Sequence, residues 1–481
     1  MRTEKDFLGE VNIPENALYG IHALRAKENF PDKTPVHVEW YQALATVKHA
    51  CYLTAIDFLK KAEEKYPGNK SVTNIADYNK IEMLLEGVKE CEKGEHFHHL
   101  ILPAISGGAG TSFNMNMNEI ICNLALLKNN FKPGQYEIID PAEYANIFQS
   151  TNDVIPTSLR VAIMRLLNEL EESVNLLHSK AEIAEKKYRN VLRIGYTQMQ
   201  EAVPTTYGKL FGSYSDALSR DWWRISRCFE RIKVVNLGGS AIGTSVAVPK
   251  YFVMEVVRTL QKLTDLPVTR GENLTDATSN LDPLVEVHAI LKSHAVNLEK
   301  MVNDLRLLSS DVASTGEIKI PQLQLGSSIM PGKVNPVVPE FVISVTRKIY
   351  ANDDIITGLS AQGCLELNAY LPTIGHAFIE SLKLLIACNN TMANNLFNSL
   401  EVDTAKAENR LFSSPSVTTV LLPYIGYNKS SELAKYMKEN NRDIFEANSD
   451  LKIMKKEKLK EILKPDNLTG GGFQIKDLIN E

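Results

Sequence analysis

One stretch of the sequence, GSSIMPGKVNPVVPE (326–340), combines groups that could bind an anion or move a proton. It contains the adjacent serines Ser327 and Ser328, followed by Lys333 and Asn335. Its three prolines and two glycines exclude regular secondary structure, so we predict a constrained loop that could close over a ligand. On the residues alone, Ser327 of this proline-rich loop could be a nucleophile or an anion binder, and the loop holds no histidine to activate it.

Three earlier segments are also dense in glycine, hydroxyl and amide side chains: SGGAGTSFNMNMN (106–118), QSTND (149–153) and GYTQMQEAVP (195–204). In the first, the glycine-rich segment, Thr111 lies near a predicted helix start, which is a favourable place for an anion, although a plain turn would look the same. The second, the helix-start segment, could equally be an N-terminal cap. The third places Thr197 and Gln198 after the end of a predicted helix, where polar residues are commonly only solvated. None of the three decides a function alone.

Histidines at positions 96, 98 and 99 raise the question of a metal site. His96, His98 and His99 follow a charged run and lack the separated cysteines or carboxylates of a usual site. We therefore expect no bound metal there.

The elements that must position these segments are long helices. Apolar residues recur every three or four positions from Leu159 to Val191 and again from Val287 to Leu305, which predicts two long helices, the first about 50 Å in length. Two more helices are expected after Pro339 and Pro372. We predict a mainly α protein with an N-terminal domain (1–139), a central bundle of long helices (140–398) and a small C-terminal helical domain (399–481).

Composition and charge limit the class of partner. The chain has 481 residues, of which 44% are hydrophobic and 23% charged, as expected for a globular protein of two or three domains. The net charge of -5 and pI near 6.1 provide no broad basic surface, so we expect neither nucleic acid nor an anionic membrane as a partner. An anionic ligand must therefore meet cations that are placed locally.

Cysteine usage and the first residues indicate a compartment. The six cysteines lie far apart without a C-x-x-C pair, which argues against a zinc ribbon or a disulfide framework and fits a reducing environment. The N-terminal MRTEKDFLGEVNIPE has charges where a signal peptide needs an apolar stretch, and no run of about 18 uncharged apolar residues occurs. We expect a soluble, cytoplasmic protein.

Taken together and in this order, the segments resemble the aspartase/fumarase superfamily over almost the whole chain. GSSIMPGKVNP matches the signature loop of that family in full, and the other matching segments are GGAGTSFNMNMNE, QSTND, NLGGSAIGT, NDLRLLSS and PYIGY. The N-terminal EKDFLGEVNIPENALYGIHALRAKENF looks like the aspartase branch. The resemblance implies a mainly α, three-domain fold with a long central helical bundle.

The resemblance also implies a reaction. It suggests a carbon–nitrogen lyase without cofactor or metal that reversibly eliminates ammonia from L-aspartate to give fumarate through an enediolate intermediate. Such an intermediate is a dianion, so the site needs many hydrogen-bond donors. Ser327 matches the serine that removes the proton from carbon in this family.

The remaining roles are carried over by position in the motifs. Residues matching positions around the β-carboxylate are Thr111, Ser150, Thr151 and Ser328. Those matching positions against the α-carboxylate are Lys333 and Asn335, with Thr197 assisting. Those matching positions that contact the amino group are Asn152 and Gln198. An amide oxygen can accept hydrogen bonds from ammonium.

Gln198 separates the activities within the family. Fumarases generally have histidine there, and a neutral amide cannot replace an imidazole in proton transfer. This favours aspartate over malate, with a fumarate hydratase or a lyase for an N-substituted aspartate as the alternatives. Arg25 and Glu340 also match family positions, but each could be merely structural.

The family resemblance implies an assembly as well. The long helices of four subunits merge into one bundle, so a homotetramer with active sites built from three chains is expected. Three segments depart from the aspartase pattern: YAN (144–146), DVASTGE (311–317) and SAQG (360–363). These departures bear on the exact amino acid and on any secondary anion site more than on the chemistry.

Overall fold

The computed structural model describes residues 1–313 and 315–479, and the chain is mainly helical as predicted. The helices of the N-terminal third are α1 (Ile21–Asn29), α2 (Val38–Lys65), α3 (Lys70–Thr73), α4 (Tyr78–Glu92) and α5 (Thr111–Lys128). Those that follow are α6 (Thr151–Lys187), α7 (Tyr207–Ser226), α8 (Cys228–Ile232), α9 (Lys250–Thr264), α10 (Leu274–Ser279), α11 (Asp282–Leu308), α12 (Val337–Ser360) and α13 (Leu371–Thr391). The last six are α14 (Thr404–Ser413), α15 (Leu422–Asn440), α16 (Ile444–Leu451), α17 (Lys456–Ile462), α18 (Pro465–Thr469) and α19 (Ile475–Ile479).

The strands form small two-stranded sheets. They are β1 (Arg2–Asp6) with β2 (Gly9–Ile13), β3 (Leu192–Thr197) with β4 (Gln200–Thr206), β5 (Val234–Val235) with β6 (Thr269–Arg270), and β7 (Ile318–Lys319) with β8 (Glu401–Val402). The pair β5–β6 is parallel and the other three are antiparallel. Such small sheets brace turns and do not form a core of their own.

The first long helix begins earlier than its apolar periodicity indicates. Helix α6 has 37 residues and already includes Thr151 and Pro156, whereas the predicted pattern starts at Leu159. Pro156 has no N–H to donate to the carbonyl of Asn152, four residues before it. The side chain of Asn236 donates to that carbonyl instead, at 2.8 Å, so the helix continues through the proline.

The second predicted long helix and the two further predicted helices are confirmed. Helix α11 spans the second stripe, and the residues of that stripe are buried: Val287, Leu291, Ala295, Leu298, Val302 and Leu305. Helices α12 and α13 contain Pro339 and Pro372 within their first turns, where a missing N–H costs no intrahelical bond. Periodicity therefore located the helices well and their first turns poorly.

By contacts between Cα atoms, the chain divides into two compact units. Unit 1 comprises residues 1–171, 223–293 and 347–385, and unit 2 comprises residues 172–222, 294–346 and 386–481. Unit 2 contains a separate apolar core in which β3 packs with helices α14 to α17. The three-domain boundaries given above remain a prediction.

One segment, Leu371–Phe397, is long and apolar enough to cross a membrane by length and composition alone. Most of its apolar window, 61%, is buried inside the protein. Residues such as Phe378 and Leu382 are fully enclosed. That degree of burial is typical of a core helix, which passes the same test of length and hydropathy.

Candidate active site

The helix-start segment caps α6 with its own side chains. The Ser150 hydroxyl accepts the N–H of Asn152 at 3.2 Å, and the Asp153 carboxylate accepts the N–H of Ser150 at 2.9 Å. This reciprocal arrangement satisfies N–H groups that a helix start leaves unpaired. The interpretation of these residues as an N-terminal cap is therefore confirmed. It also places Ser150, Thr151 and Asn152 at the positive end of the α6 dipole, which favours a bound anion.

Asp153 joins this segment to the NLGGSAIGT segment of unit 1. Its carboxylate is fully buried and accepts two further backbone N–H groups, from Gly238 at 3.2 Å and from Ser240 at 2.9 Å. Burial raises the pKa of Asp153 to about 7, against the opposing effect of these three donors. The Asp153 carboxylate thus links the start of α6 to the backbone of the NLGGSAIGT segment.

The Asn152 side chain is oriented by the same segment. Its amide nitrogen donates to the carbonyl of Ala241 at 2.7 Å. Because the nitrogen is committed to this bond, the amide oxygen points the other way and can accept a hydrogen bond from a ligand.

A buried lysine supports the helix-start segment from α2. Lys48 has no solvent exposure, and its ammonium group donates to the side chain of Gln149 at 2.9 Å. Burial lowers the pKa of Lys48 to about 7. Lys48 was not among the predicted site residues. The available signal was a single lysine within the apolar run ALATVKHACYLTAI (43–56), since a buried lysine is rare without a partner.

The glycine-rich segment turns sharply before α5. Gly108, Ala109 and Gly110 all have positive φ, at 83°, 56° and 89°. Thr111 is then the first residue of α5 and is exposed. One turn later, the buried Asn114 donates from its amide nitrogen to the Thr151 hydroxyl at 3.2 Å. Unit 1 therefore joins the glycine-rich and helix-start segments through side-chain contact.

Arg25 lies apart from these contacts. Its guanidinium forms two hydrogen bonds to the Asp6 carboxylate, at 2.9 and 3.0 Å. This bond to Arg25 is the main cause that lowers the pKa of Asp6 below its usual value. Arg25 therefore forms a structural ion pair, which was the alternative to a role in the site.

In unit 2, Thr197 and Gln198 lie at the tip of a β-hairpin. The sequence analysis expected an irregular loop after a helix. Strands β3 and β4 instead pair Thr197 with Gln200, which leaves Gln198 and Met199 as a two-residue turn. Both turn residues have positive φ, 51° and 63°. Hairpin turns of this kind favour Asn–Gly, so Gln198 and Met199 hold a strained conformation of the sort that is common at functional sites.

The hairpin is tied to the C-terminal part of unit 2. Glu201 accepts a hydrogen bond from the Ser414 hydroxyl at 2.7 Å and one from the Arg410 guanidinium at 3.2 Å. Gln198 itself is exposed at the tip. The hairpin is therefore held through Glu201 and exposes the uncharged amide of Gln198 at its tip.

The proline-rich loop folds around the hydroxyl of Ser327. That oxygen accepts two backbone N–H groups of the same loop, from Ile329 at 3.2 Å and from Met330 at 3.0 Å. Two N–H donors directed at one oxygen stabilise negative charge on it, as in an oxyanion hole. Ser327 is half-buried, whereas Ser328 and Lys333 are exposed.

The two ends of this loop are pinned together. The Asn335 amide donates to the carbonyl of Gly326 at 2.5 Å. A Cβ on Gly326 would lie only 2.0 Å from the carbonyl oxygen of Lys333, so only glycine allows this approach. The loop ends at α12, where Glu340 is exposed in the first turn.

Among the described residues, Glu90, Glu95 and His96 form a group whose ligand atoms lie within 4.8 Å of one another. The Glu90 carboxylate is already bonded to Lys128 at 2.6 Å and to His96 at 2.9 Å. The ammonium of Lys128 would repel a cation at this position. The group is therefore explained by ion pairing.

This chain is similar to known proteins over nearly its whole length. The sequence matches the family described as Lyase over residues 9–351 and the family described as Fumarase C C-terminus over residues 417–470. It is 35% identical to an aspartate ammonia-lyase of Helicobacter pylori over 97% of this chain and 98% of that protein. It is 34% identical to an aspartate ammonia-lyase of Bacillus subtilis, and 35% identical to that of Escherichia coli K12, in each case over 100% of this chain and 98% of the relative.

Solved structures agree on the fold. A fumarate lyase:delta crystallin from Brucella melitensis bound to cobalt superposes with a TM-score of 0.89 at 32% identity, covering 98% of this chain and 100% of that one. A class II fumarase from Schistosoma mansoni superposes with a TM-score of 0.85 at 26% identity, with the same coverage.

Proposed function

The chain belongs to the aspartase/fumarase superfamily of lyases, and from this we propose that it reversibly eliminates ammonia from L-aspartate to give fumarate. Curated relatives similar over the full length carry the name aspartate ammonia-lyase. The observation that carries the choice of substrate is that two uncharged amides occupy the positions matched to the amino group. Asn152 has its nitrogen bonded to Ala241, and Gln198 stands at the hairpin tip. Both can accept hydrogen bonds from an ammonium group, and neither can act as the imidazole of a hydratase would.

The first chemical step is removal of a proton from the β-carbon. In the proposal the deprotonated oxygen of Ser327 takes this proton, and the C–H electron pair moves into the β-carboxylate to form an enediolate. The N–H groups of Ile329 and Met330 support this role because they stabilise negative charge on the serine oxygen. The enediolate then collapses to fumarate, and the C–N electron pair leaves with the amine.

The β-carboxylate gains charge in this step and needs the most donors. We assign to it the hydroxyls of Thr111, Ser150, Thr151 and Ser328. Ser150 and Thr151 stand at the N-terminus of α6, where the helix dipole favours negative charge. The Ser150 oxygen accepts the N–H of Asn152, so its own proton is available to a ligand.

The α-carboxylate keeps its charge throughout and needs a fixed anchor. We assign it to Lys333 and Asn335 of the proline-rich loop, with Thr197 assisting. The exposed ammonium of Lys333 supplies a compact positive charge. Asn335 also pins the base of the loop through Gly326, so one residue links loop shape to substrate binding.

We propose that complete sites form only in a homotetramer, with Ser327 and the helix-start segment contributed by different chains. Exposed apolar side chains in and next to the proline-rich loop support this, since Ile329 is 83% exposed and Leu325, the residue before the loop, is 87% exposed. Exposed apolar side chains on one loop are typical of a surface that another chain covers. The proposal needs no cofactor, assigns no chemical step to Arg25 or Glu340, and places the enzyme in the cytoplasm.

The deciding experiment is a substrate panel monitored by the ultraviolet absorbance of fumarate. We expect fumarate to form from L-aspartate, and not from malate or from an N-substituted aspartate such as N-methyl-aspartate. Fumarate from malate alone would establish a hydratase and overturn the assignment. Size-exclusion chromatography with light scattering should give a tetramer, and an active monomer would contradict the composite site.

A further inference from the structure

Helix α5 carries an unusual number of buried amides. Asn114, Asn116, Asn118 and Asn123 are each no more than 1% exposed. A buried amide costs free energy unless its groups are hydrogen-bonded. Asn114 differs from the others because it contacts a residue of the proposed substrate site. We propose that Asn114 is a positioning residue that turns the Thr151 hydroxyl proton toward the substrate carboxylate. This inference rests on the proposed function.

The orientation of the Asn114 amide follows from its neighbours. The nitrogen of Asn146 donates to the carbonyl of Gln149 at 3.1 Å, and a carbonyl can only accept. The oxygen of Asn146 must therefore face the other way, where it accepts from the nitrogen of Asn114 at 3.0 Å and from that of Asn118 at 3.3 Å. The nitrogen of Asn114 is thus directed toward this cluster.

One consequence concerns the Thr151 hydroxyl. The same nitrogen of Asn114 carries a second hydrogen, and the Thr151 oxygen lies 3.2 Å away. The hydroxyl oxygen therefore acts as an acceptor, so its own proton must be directed elsewhere. Across the described residues, Thr151 has no protein acceptor for that proton. A hydroxyl that accepts one hydrogen bond becomes a stronger donor in the next, which suits a carboxylate gaining charge.

The position of Asn114 explains why it can serve this role. It lies one turn after Thr111 on α5, and residues three apart share a helix face. One helix therefore supplies a proposed substrate donor at its exposed start and a buried amide beneath it. Asn114 fixes the distance between the glycine-rich segment and the helix-start segment.

The test is Asn114→Asp, compared with Asn118→Asp. At neutral pH a carboxylate at position 114 can only accept, so it would draw the Thr151 proton inward. We expect the KM for L-aspartate to rise about tenfold, the loss of one hydrogen bond to a charged group. Burial raises the pKa of a carboxyl group, so mildly acidic buffer should protonate it. The protonated acid can donate to the Thr151 oxygen again, and the KM should fall back toward the wild-type value.

Asn118→Asp is the matched control, because Asn118 is equally buried on α5 and bonds to Asn146 without contacting Thr151. Buried charged groups near these positions include Lys48 on α2 and Asp153 on α6, with Glu119 on α5 itself. These charged groups are the same in both variants. Asn118→Asp should lack the acid recovery of KM relative to wild type. Asn114→Ala should raise KM without acid recovery, because it can neither accept nor donate. Thermal melting checks that each variant folds.

Identical pH profiles of KM for Asn114→Asp and Asn118→Asp would overturn the proposal, and so would an Asn114→Ala enzyme with wild-type KM. If the wild type does not convert aspartate, the proposed function fails separately. The same variants are then compared for fumarate binding by calorimetry, where acid recovery of affinity in Asn114→Asp alone supports the role of Asn114 and its absence contradicts it.

Discussion

The two regions that carry most of the candidate chemistry are built in opposite ways. The helix-start segment is held from several sides: the buried Lys48 and Asn114 donate to it, and its own Asp153 accepts the N–H of Gly238. For the described residues 326–336, which precede α12, the hydrogen bonds found all join two residues of the proline-rich loop. The helix-start segment is fixed by the core of unit 1. The proline-rich loop keeps its shape through hydrogen bonds within itself at the surface of unit 2.

This difference separates the contribution of a side chain to activity from its contribution to stability. In the helix-start segment, a substitution removes partners of buried polar groups, so activity and stability should fall together. In the proline-rich loop, the lost contacts are exposed, so activity should fall alone. Substitutions in each region test this distinction.

The largest effect is expected for Ser327→Ala. Removing the proposed base should lower turnover by about 10³-fold or more, which is within the range for a positioned acid–base group. The melting temperature should stay near that of the wild type, because the partners of the Ser327 hydroxyl in the described part of the chain are two amides of the same loop. Steady-state kinetics on aspartate and thermal melting measure the two quantities.

Ser328→Ala is the control for this prediction. Ser328 is a proposed donor to the β-carboxylate, so its loss should weaken the reaction far less than the loss of Ser327. An active Ser327→Ala enzyme would remove the assigned base, and a strongly destabilised one would contradict the self-contained loop.

A smaller loss of activity with a large loss of stability is expected for Asp153→Asn. Asparagine keeps one side-chain oxygen, so its NH₂ group must face either the N–H of Ser150 or the N–H groups of Gly238 and Ser240, which bond to the two different oxygens of the carboxylate. We expect the free energy of unfolding to fall by about 2–4 kcal/mol. Urea denaturation at fixed protein concentration measures this, since an oligomer is also stabilised by mass action.

Glu340→Gln provides the comparison at the other region. The Glu340 side chain is exposed at the start of α12. We expect the free energy of unfolding of this variant to differ from that of the wild type by less than about 0.5 kcal/mol. Equal destabilisation by the two substitutions would remove the distinction between the regions.

The sequence predicted the long helices because a buried helix face repeats every three or four residues, as in α6 and α11. It failed at the start of α6, since Pro156 is tolerated only because Asn236 replaces the missing donor, and that partner is 80 residues away. The β3–β4 hairpin was missed because a turn of Gln198 and Met199 carries none of the usual Asn–Gly signal. Local patterns predict local structure, and these two features depend on distant or strained contacts.

The same limit applies to the candidate site. Ser327, Lys333 and Asn335 could be recognised because their loop is one continuous motif. Lys48 was missed, because it acts through Gln149, a partner remote in sequence. Asn114 could be recognised as a possible hydrogen-bond donor near a helix start, but not its contact with the equally remote Thr151. A buried position within an apolar helix hides the polar role that tertiary contact creates.

The smallest effect is expected for Gly326→Ala, which tests whether loop shape alone limits activity. The added Cβ would meet the Lys333 carbonyl at 2.0 Å, so the ends of the proline-rich loop must separate and Ser327 must shift. A misplacement of this size should lower turnover by about 10- to 100-fold, while the free energy of unfolding changes by less than about 1 kcal/mol. Gly358→Ala in α12 is the control, because its Cβ meets no atom within 4 Å and a helical alanine should add about 0.5–1 kcal/mol of stability. If Gly326→Ala unfolded the protein or left turnover unchanged, the proline-rich loop would not be an independent surface element that sets the position of the base.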